Sequence, residues 1–351
     1  MMFFILLFLI ILLVEKTNFI FDPIFKTIGA VAIPFIGAGI LYYLSKPLMH
    51  LFERIKINRI ISIFLVYIVL ALIIFFFFMY IVPIAQRQFS NLIGNIPKMV
   101  DWAQDLISYW QSNQTIIPDE VNSAINDFMN NLQSYVENVI NYIFGFIGQL
   151  ISFVTALVLI PLFLFFMLKD GDKFVPFITQ IFNKKKAANI RALMGKIDDT
   201  LTSFIQGQLI VSFCVGVLLF IGYWIIDLNY SLTLALFGML MNVIPFIGPF
   251  IAVVPALIVG AFQAPIMLVL VALIMLVAQQ IESNFISPNV MGRALSLHPL
   301  TVITVILAAG SIAGFIGILF AVPFYAVIKT IIVHFYETYV DSKKNKDDAL
   351  I

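Results

Sequence analysis

The sequence predicts an all-α, polytopic integral membrane protein: six full spans plus two re-entrant helical hairpins, or eight spans, with a small outer helical domain and an inverted repeat in the C-terminal half. Three observations predict it. Hydrophobic residues make up 62% of the 351 and charged residues 11%, against about 25% charged in soluble domains. Mean hydropathy is +1.05, and the apolar residues gather in runs suited to crossing about 30 Å of hydrocarbon. Two of those runs, 231–262 and 300–333, are too long for one upright span and are interrupted by proline or glycine at their most apolar point.

The runs at 2–21, 28–44, 60–83, 140–168, 205–227 and 266–284 read as the six spans. The opening MMFFILLFLIILLVEK has neither a basic start nor a small-residue cleavage site, so it reads as a span rather than a leader. Basic residues orient the chain. The segment 45–59 carries Lys46, Arg54, Lys56 and Arg59; 169–203 carries Lys169, Lys173, Lys184, Lys185, Lys186, Arg191 and Lys196; the tail carries Lys343, Lys344 and Lys346. These face the cytoplasm, as do both termini. Segment 84–139 has Arg87 and Lys98 against six carboxylates between Asp101 and Glu137, and it faces outward. Helical spacing from Ile96 to Trp110 and from Val121 to Val139 makes it a small helical cap. In 172–203, Phe174, Phe177, Ile178 and Phe182 followed by Lys184–Lys186 suit an amphipathic connector at the headgroups. The organisation is therefore 1–83, N-terminal scaffold spans; 84–139, outer helical domain; 140–204, fourth span and connector; 205–335, transport domain; 336–351, cytoplasmic tail.

The stretch NVIPFIGPFIAVVPA, 242–256, contains Pro245, Pro249 and Pro255. Each removes a backbone donor and crowds the preceding turn. A break at Phe246-Ile247-Gly248 leaves two half-helices too short to cross, so the chain should enter, turn near the midplane, and return. Gly248 is expected to supply the positive φ of that turn. Non-helical backbone at such depth survives only in protein or beside a wet cavity, and its exposed helix ends can bind a polar solute. Residues 314–323, GFIGILFAVP, repeat 245–255, PFIGPFIAVVP, with one residue of offset; Gly310, Gly314 and Gly317 interrupt the second run. A span plus a hairpin crosses an odd number of times, so its second copy is inverted, as in secondary transporters.

Between the breaks lies AQQIESNFISPNVMGRALSLHP, 278–299. Gln279, Glu282 and Ser283 share a helix face, and Gln280 and Asn284 form an adjacent pair. A carboxylate at membrane depth is costly and usually functional; Glu282 at the headgroups, solvated or paired with Arg293, is the plain alternative. Ser287-Pro288 should end that helix. Gln206 and Gln208 open the fifth span, lining the same cavity or sitting at headgroups.

Other functions are poorly supported. Net charge is +1, which gives no field for nucleic acid, and the single cysteine, Cys214, excludes a disulfide framework. The sequence contains no GxxxxGK[ST], HExxH or GxSxG, and His50, His298 and His334 are dispersed. No enzyme activity, cofactor or metal is expected; an intramembrane enzyme is the least supported reading.

The order PFIGPFIAVVPA, then ES-F-SP-VMG, LHPL and a glycine-rich span ending in AVP closely resembles the autoinducer-2 exporter family of bacterial membrane proteins. The resemblance covers most of the chain, including the outer insert and FFMLKDGD. Asn242, Pro245, Gly248, Pro249, Glu282, Pro288, Gly292, His298, Pro299, Gly314, Gly317 and Pro323 match its motif positions. It implies export of the quorum-sensing signal autoinducer-2 or, as described for some members, sodium or lithium/proton antiport. It also implies homo-oligomers, with pentamers and elevator-like movement proposed. The expected partners are thus a small polar solute or a monovalent cation and proton, membrane lipids and further copies of the chain. The expected transport residues are Asn242, Pro245, Gly248, Pro249, Gln279, Gln280, Glu282, Ser283, Asn284, Gly314, Gly317 and Pro323. Gln206, Gln208, Pro288, Gly292, Arg293, His298 and Pro299 are expected to line a cavity or gate.

Overall fold

A computed structural model describes residues 17–88, 90–91, 94–95, 154–291 and 298–348. Among them every regular element is a helix: α1 (Asn18–Arg54), α2 (Arg59–Gln88), α3 (Val154–Thr179), α4 (Lys184–Ile225), α5 (Ser231–Met241), α6 (Ile247–Gln263), α7 (Pro265–Met291), α8 (Pro299–Gly314) and α9 (Gly317–Val340, helical on to Asp348). Five of these, α1 from Gly29 onward, α2, α4, α7 and α9, are long and apolar enough to cross a bilayer. The chain is a multi-pass membrane protein. Of the span expected at 2–21, residues 2–16 lie outside the described residues and the remainder runs on into α1 rather than ending before a second span at 28–44; the outer segment 84–139 from residue 96 onward, the fourth span up to residue 153, Gly292 and Arg293 also lie outside them.

The chain divides into two compact units, Met1–Val66 with Ile143–Phe174 and Tyr67–Tyr142 with Val175–Ile351. In the first, Ala38 and Met49 of α1, Ile63 and Val66 of α2, and Leu164 and Leu168 of α3 are buried. The FFMLKDGD motif is held by Arg59. Its Nε and Nη2 donate to the Leu168 carbonyl at 3.0 and 2.7 Å, and Nη1 donates to the Asp172 carboxylate. One planar guanidinium thus fixes a backbone oxygen and a carboxylate together, which a lysine cannot do. Beside it, the Lys173 ammonium donates to Asp170 and holds that carboxyl below its usual range.

The second unit is a bundle built on α4. Val211, Val215, Leu219 and Tyr223 recur every four residues along it and pack with Leu234 and Ala235 of α5, Ala252, Ala256 and Val259 of α6, and Val271, Met275 and Ala278 of α7. The stripe Ala252, Ala256, Gly260 lets backbones approach closely, the usual basis of helix packing in lipid.

The expected connector is not a separate helix. Its first part belongs to α3, which ends at Thr179, and Lys184–Lys186 form the first turn of α4. Asn183 caps that turn, its side chain accepting from the Lys186 N–H at 3.0 Å. From there α4 runs 42 residues without interruption, because no proline stands between 184 and 225. Its N-terminal half lies along α9: Asn189 meets His334 at 2.8 Å, Lys196 pairs with Glu337 at 2.8 Å, and the Thr200 and Thr330 hydroxyls meet at 3.2 Å.

Both interrupted runs fold back on themselves. Residues 242–246 leave the helical path between α5, of 11 residues, and α6, of 17; at about 1.5 Å per residue α5 is far too short to span. In the second run, Ala313 and Gly314 are non-helical, and Val302 and Ile306 of α8 pack with Ala321 and Val322 of α9. The second arms differ. α6 is short, whereas α9 continues for 24 residues, long enough to cross. So the second run is a half-helix feeding a full-length helix rather than two short arms.

The positive φ of the first turn is at Phe246 (φ 63°), not at Gly248. Gly248 is required for a different reason: a Cβ there would lie 2.0 Å from the Met241 carbonyl oxygen. Gly317 stands in the same relation to Ala309, also 2.0 Å, while Gly314 takes the positive φ, 58°. The two turns therefore share a close backbone crossing, with the left-handed residue shifted by one. Gly248→Ala and Gly317→Ala are each expected to destabilise by about 3 kcal/mol, since the clash is with backbone. Gly39→Ala, in open space on α1, should instead be neutral or stabilising by up to about 1 kcal/mol. Thermal unfolding of the three purified variants checks this; equal midpoints would remove the turns as constraints.

Candidate functional site

The tip of the first hairpin is where chemistry concentrates. Proline at 245 and 249 prevents the chain from continuing α5, so the carbonyls at its end need other donors. One comes from α4: buried Gln208 donates its Nε2 to the Asn242 carbonyl at 2.7 Å. Tip residues Ile244 and Ile247 also pack with Phe204 of α4, Val302 and Ile306 of α8, and Ala321 and Val322 of α9. The two broken runs thus meet at one place on α4.

Asn242 is 2% exposed, and its side-chain amide faces the Glu282 carboxylate on α7. Glu282 Oε2 accepts from Gln279 Nε2 at 2.9 Å, so its bonded partner is an amide and not a cation. One turn along α4 from Gln208, the Ser212 hydroxyl is buried at 2% exposure and unpartnered. Gln208, Asn242, Gln279 and Glu282 are thus linked in a chain of contacts, the first two buried and the last two half-buried, with the Ser212 hydroxyl close by along α4. The Glu282 end of α7 is held to α4 by close packing, since a Cβ on Gly207 would come within 2.7 Å of Met291 Cγ.

Glu282 opens a π turn, Glu282–Ile286, in which the Ser287 N–H reaches back to the Glu282 carbonyl. The helix does not end at Ser287-Pro288 as the sequence suggests. The extra residue in the turn moves the preceding carbonyls away from the proline ring, and helical structure resumes through Met291. The same device stands in α2, where the π turn Phe77–Ile81 precedes Pro83 by the same spacing. A π turn frequently marks a functional position in a helix.

Other expected residues are placed as follows. Gly248 and Pro249 are buried in the first turn of α6, Pro245 is half-buried at the tip, and Pro323 is buried in α9. Gln280 and Asn284 bond to each other at 3.0 Å on an exposed face, and Ser283 donates to the Gln279 carbonyl at 2.8 Å, also exposed. Pro288, His298 and Pro299 are exposed and Gln206 is half-buried. Ser212 was not anticipated; its position four residues after Gln208 is the one signal that could have found it. The backbone strain of Phe246 was equally unmarked, and such a residue costs about 1–3 kcal/mol and persists only where the surroundings enforce it.

Gln208→Leu is expected to cost about 1–3 kcal/mol, because it strands the buried Asn242 carbonyl. It should also speed amide exchange at 243–248, read by mass spectrometry in lipid nanodiscs. Unchanged exchange there would mean that α4 does not hold the tip.

Comparison with known proteins places this arrangement. Residues 2–337 match the family model described as AI-2E family transporter. The "Putative transport protein YueF" of Bacillus subtilis is 32% identical over 92% of this chain and 88% of its own length. The "Putative transport protein YrrI" of the same organism is 28% identical over 93% of this chain and 94% of its own. The "Putative permease PerM" of Escherichia coli K12 is 26% identical over 89% of each.

Proposed function

The chain belongs to the AI-2E family of membrane transporters, and on that premise we propose that it carries a small polar solute such as autoinducer-2 out across the bacterial cytoplasmic membrane, by elevator-like alternating access, at the cluster formed by Gln208, Ser212, Asn242, Gln279 and Glu282. The observation that carries this reading is the buried Asn242 amide facing the Glu282 carboxylate. A buried amide and a carboxylate that meet from two elements form a polar pair that a visiting solute can bridge. In this reading the tip of the first hairpin and the turn between α8 and α9 are the two faces of the site, and their common crossing glycines belong to an inverted repeat. Transport draws on a gradient rather than ATP, the active form is a homo-oligomer, and the chain catalyses no chemical conversion.

A second reading rests on Glu282 itself. A carboxylate bonded by an amide and not by a cation can exchange a proton for sodium or lithium, which makes the protein an antiporter. Proteoliposomes separate the two: autoinducer-2 efflux is followed in one set, and collapse of a pH gradient on adding sodium in another. Efflux without sodium-driven collapse supports export; collapse without efflux supports antiport. Glu282→Gln keeps shape and hydrogen bonding but cannot titrate. It is expected to reduce transport at least tenfold, about 1.4 kcal/mol in the rate-limiting step. Antiport would be lost with its pH dependence, whereas pure solute anchoring would persist at reduced affinity. Unchanged flux and pH dependence would move the site elsewhere.

A further inference from the structure

The first hairpin is held at its open end by side chains from outside it. Helix α5 begins without a local cap: Tyr230, at φ 60°, supplies no side-chain bond to the first turn. Its hydroxyl instead accepts from Asn95 Nδ2 at 2.9 Å. The orphan donors of a helix start must be met somewhere, and here the Thr233 N–H is met from α2. Gln88 Oε1 accepts from the Thr233 backbone N–H at 3.0 Å and from the Thr233 hydroxyl at 2.8 Å. A backbone N–H can only donate, so the amide oxygen, and not its nitrogen, faces α5. The other arm is fastened likewise. Gln263, at the end of α6, accepts from the Asn229 N–H at 2.9 Å and donates to the Asp227 carbonyl at 2.7 Å. Leu234 and Ala235, next after Thr233, are buried in the bundle core at 3% and 2% exposure.

We propose that Gln88 is a positioning residue for the transport site: it caps α5 in trans and thereby sets the hairpin tip over Gln208, Ser212 and Glu282. The proposal rests on reading that cluster as the site. The 11-residue arm is a stiff rod about 16 Å long, capped at one end and carrying Asn242 at the other. Gln88 stands where the second span passes toward the expected outer segment, so a displacement of that end of α2 is transmitted to the tip. Without the cap the first turn of α5 frays, and the tip opens more often to water.

The test uses the full chain in lipid nanodiscs with Cys214→Ser, so that one introduced thiol reports. Ser212→Cys places it on the floor of the cluster, and N-ethylmaleimide labels it only when water admits the thiolate. Val271→Cys, at 0% exposure in the bundle core, reports general loosening. Gln88→Leu is expected to speed labelling of Ser212→Cys about tenfold while leaving Val271→Cys within about twofold. Gln88→Glu should restore the slow rate, because a carboxylate accepts both bonds and suits a helix N-terminus. Three outcomes overturn the proposal: no change with leucine, glutamate labelling as fast as leucine, or equal acceleration at both reporters. Labelling needs no solute, so a null result with Glu282→Gln, which would displace the proposed site, leaves this measurement readable.

Discussion

Inside a packed protein, a backbone carbonyl without a donor has no water to turn to. That constraint governs this molecule at residues 242–246. Prolines forbid the helix there, so the freed groups are met by the protein itself: Gln208 on the Asn242 carbonyl, and the Gly248 N–H on the Ile244 carbonyl at 3.0 Å. Packing follows from this. The tip must lie against α4, α4 must be long enough to reach it, and the return arm must cross so closely that position 248 admits no side chain. The polar cluster grows from satisfying a broken helix, and the Asn242 amide turns to the Glu282 carboxylate on α7.

Much of this was legible in the sequence, and the reasons it was or was not are physical. Prolines at 245 and 249 and glycines at 310, 314 and 317 act locally, so the two interruptions could be read directly. Glu282 with Gln279 could be paired because helical spacing fixes which side chains meet. What depends on tertiary crowding could not be read. The turn puts its strain on Phe246 because Gly248 is already committed to the backbone crossing, and no local rule distinguishes those two roles. Gln208 could be at the headgroups or in the core on sequence grounds; only the position of the tip, 34 residues later, decides. The lysine run at 184–186 imitates an interfacial helix, yet it starts a helix that runs to Ile225, since nothing after it breaks the ladder.

The family assignment and the geometry address different questions. Membership establishes a membrane transporter. The geometry narrows attention to a few groups on three elements, α4, the first tip and α7, that converge although they are distant in sequence. Their chemistry is sparse: amides, a hydroxyl and one carboxylate.

The π turns at 77–81 and 282–286 have a consequence for how these helices are read by mutation. Each inserts one residue into the helical register, which at about 100° per residue rotates everything beyond it by that angle. In α7 the face that carries Met275 and Ala278 into the core is therefore not the face that would be extrapolated to Val290 and Met291. A scan of 265–291 analysed as one continuous period would assign the positions beyond Ile286 to the wrong side. The same phase slip fixes the length between Glu282 and Pro288: a one-residue deletion there would set the Pro288 ring against the preceding turn and at the same time turn the carboxylate and the end that packs on Gly207 out of phase with each other.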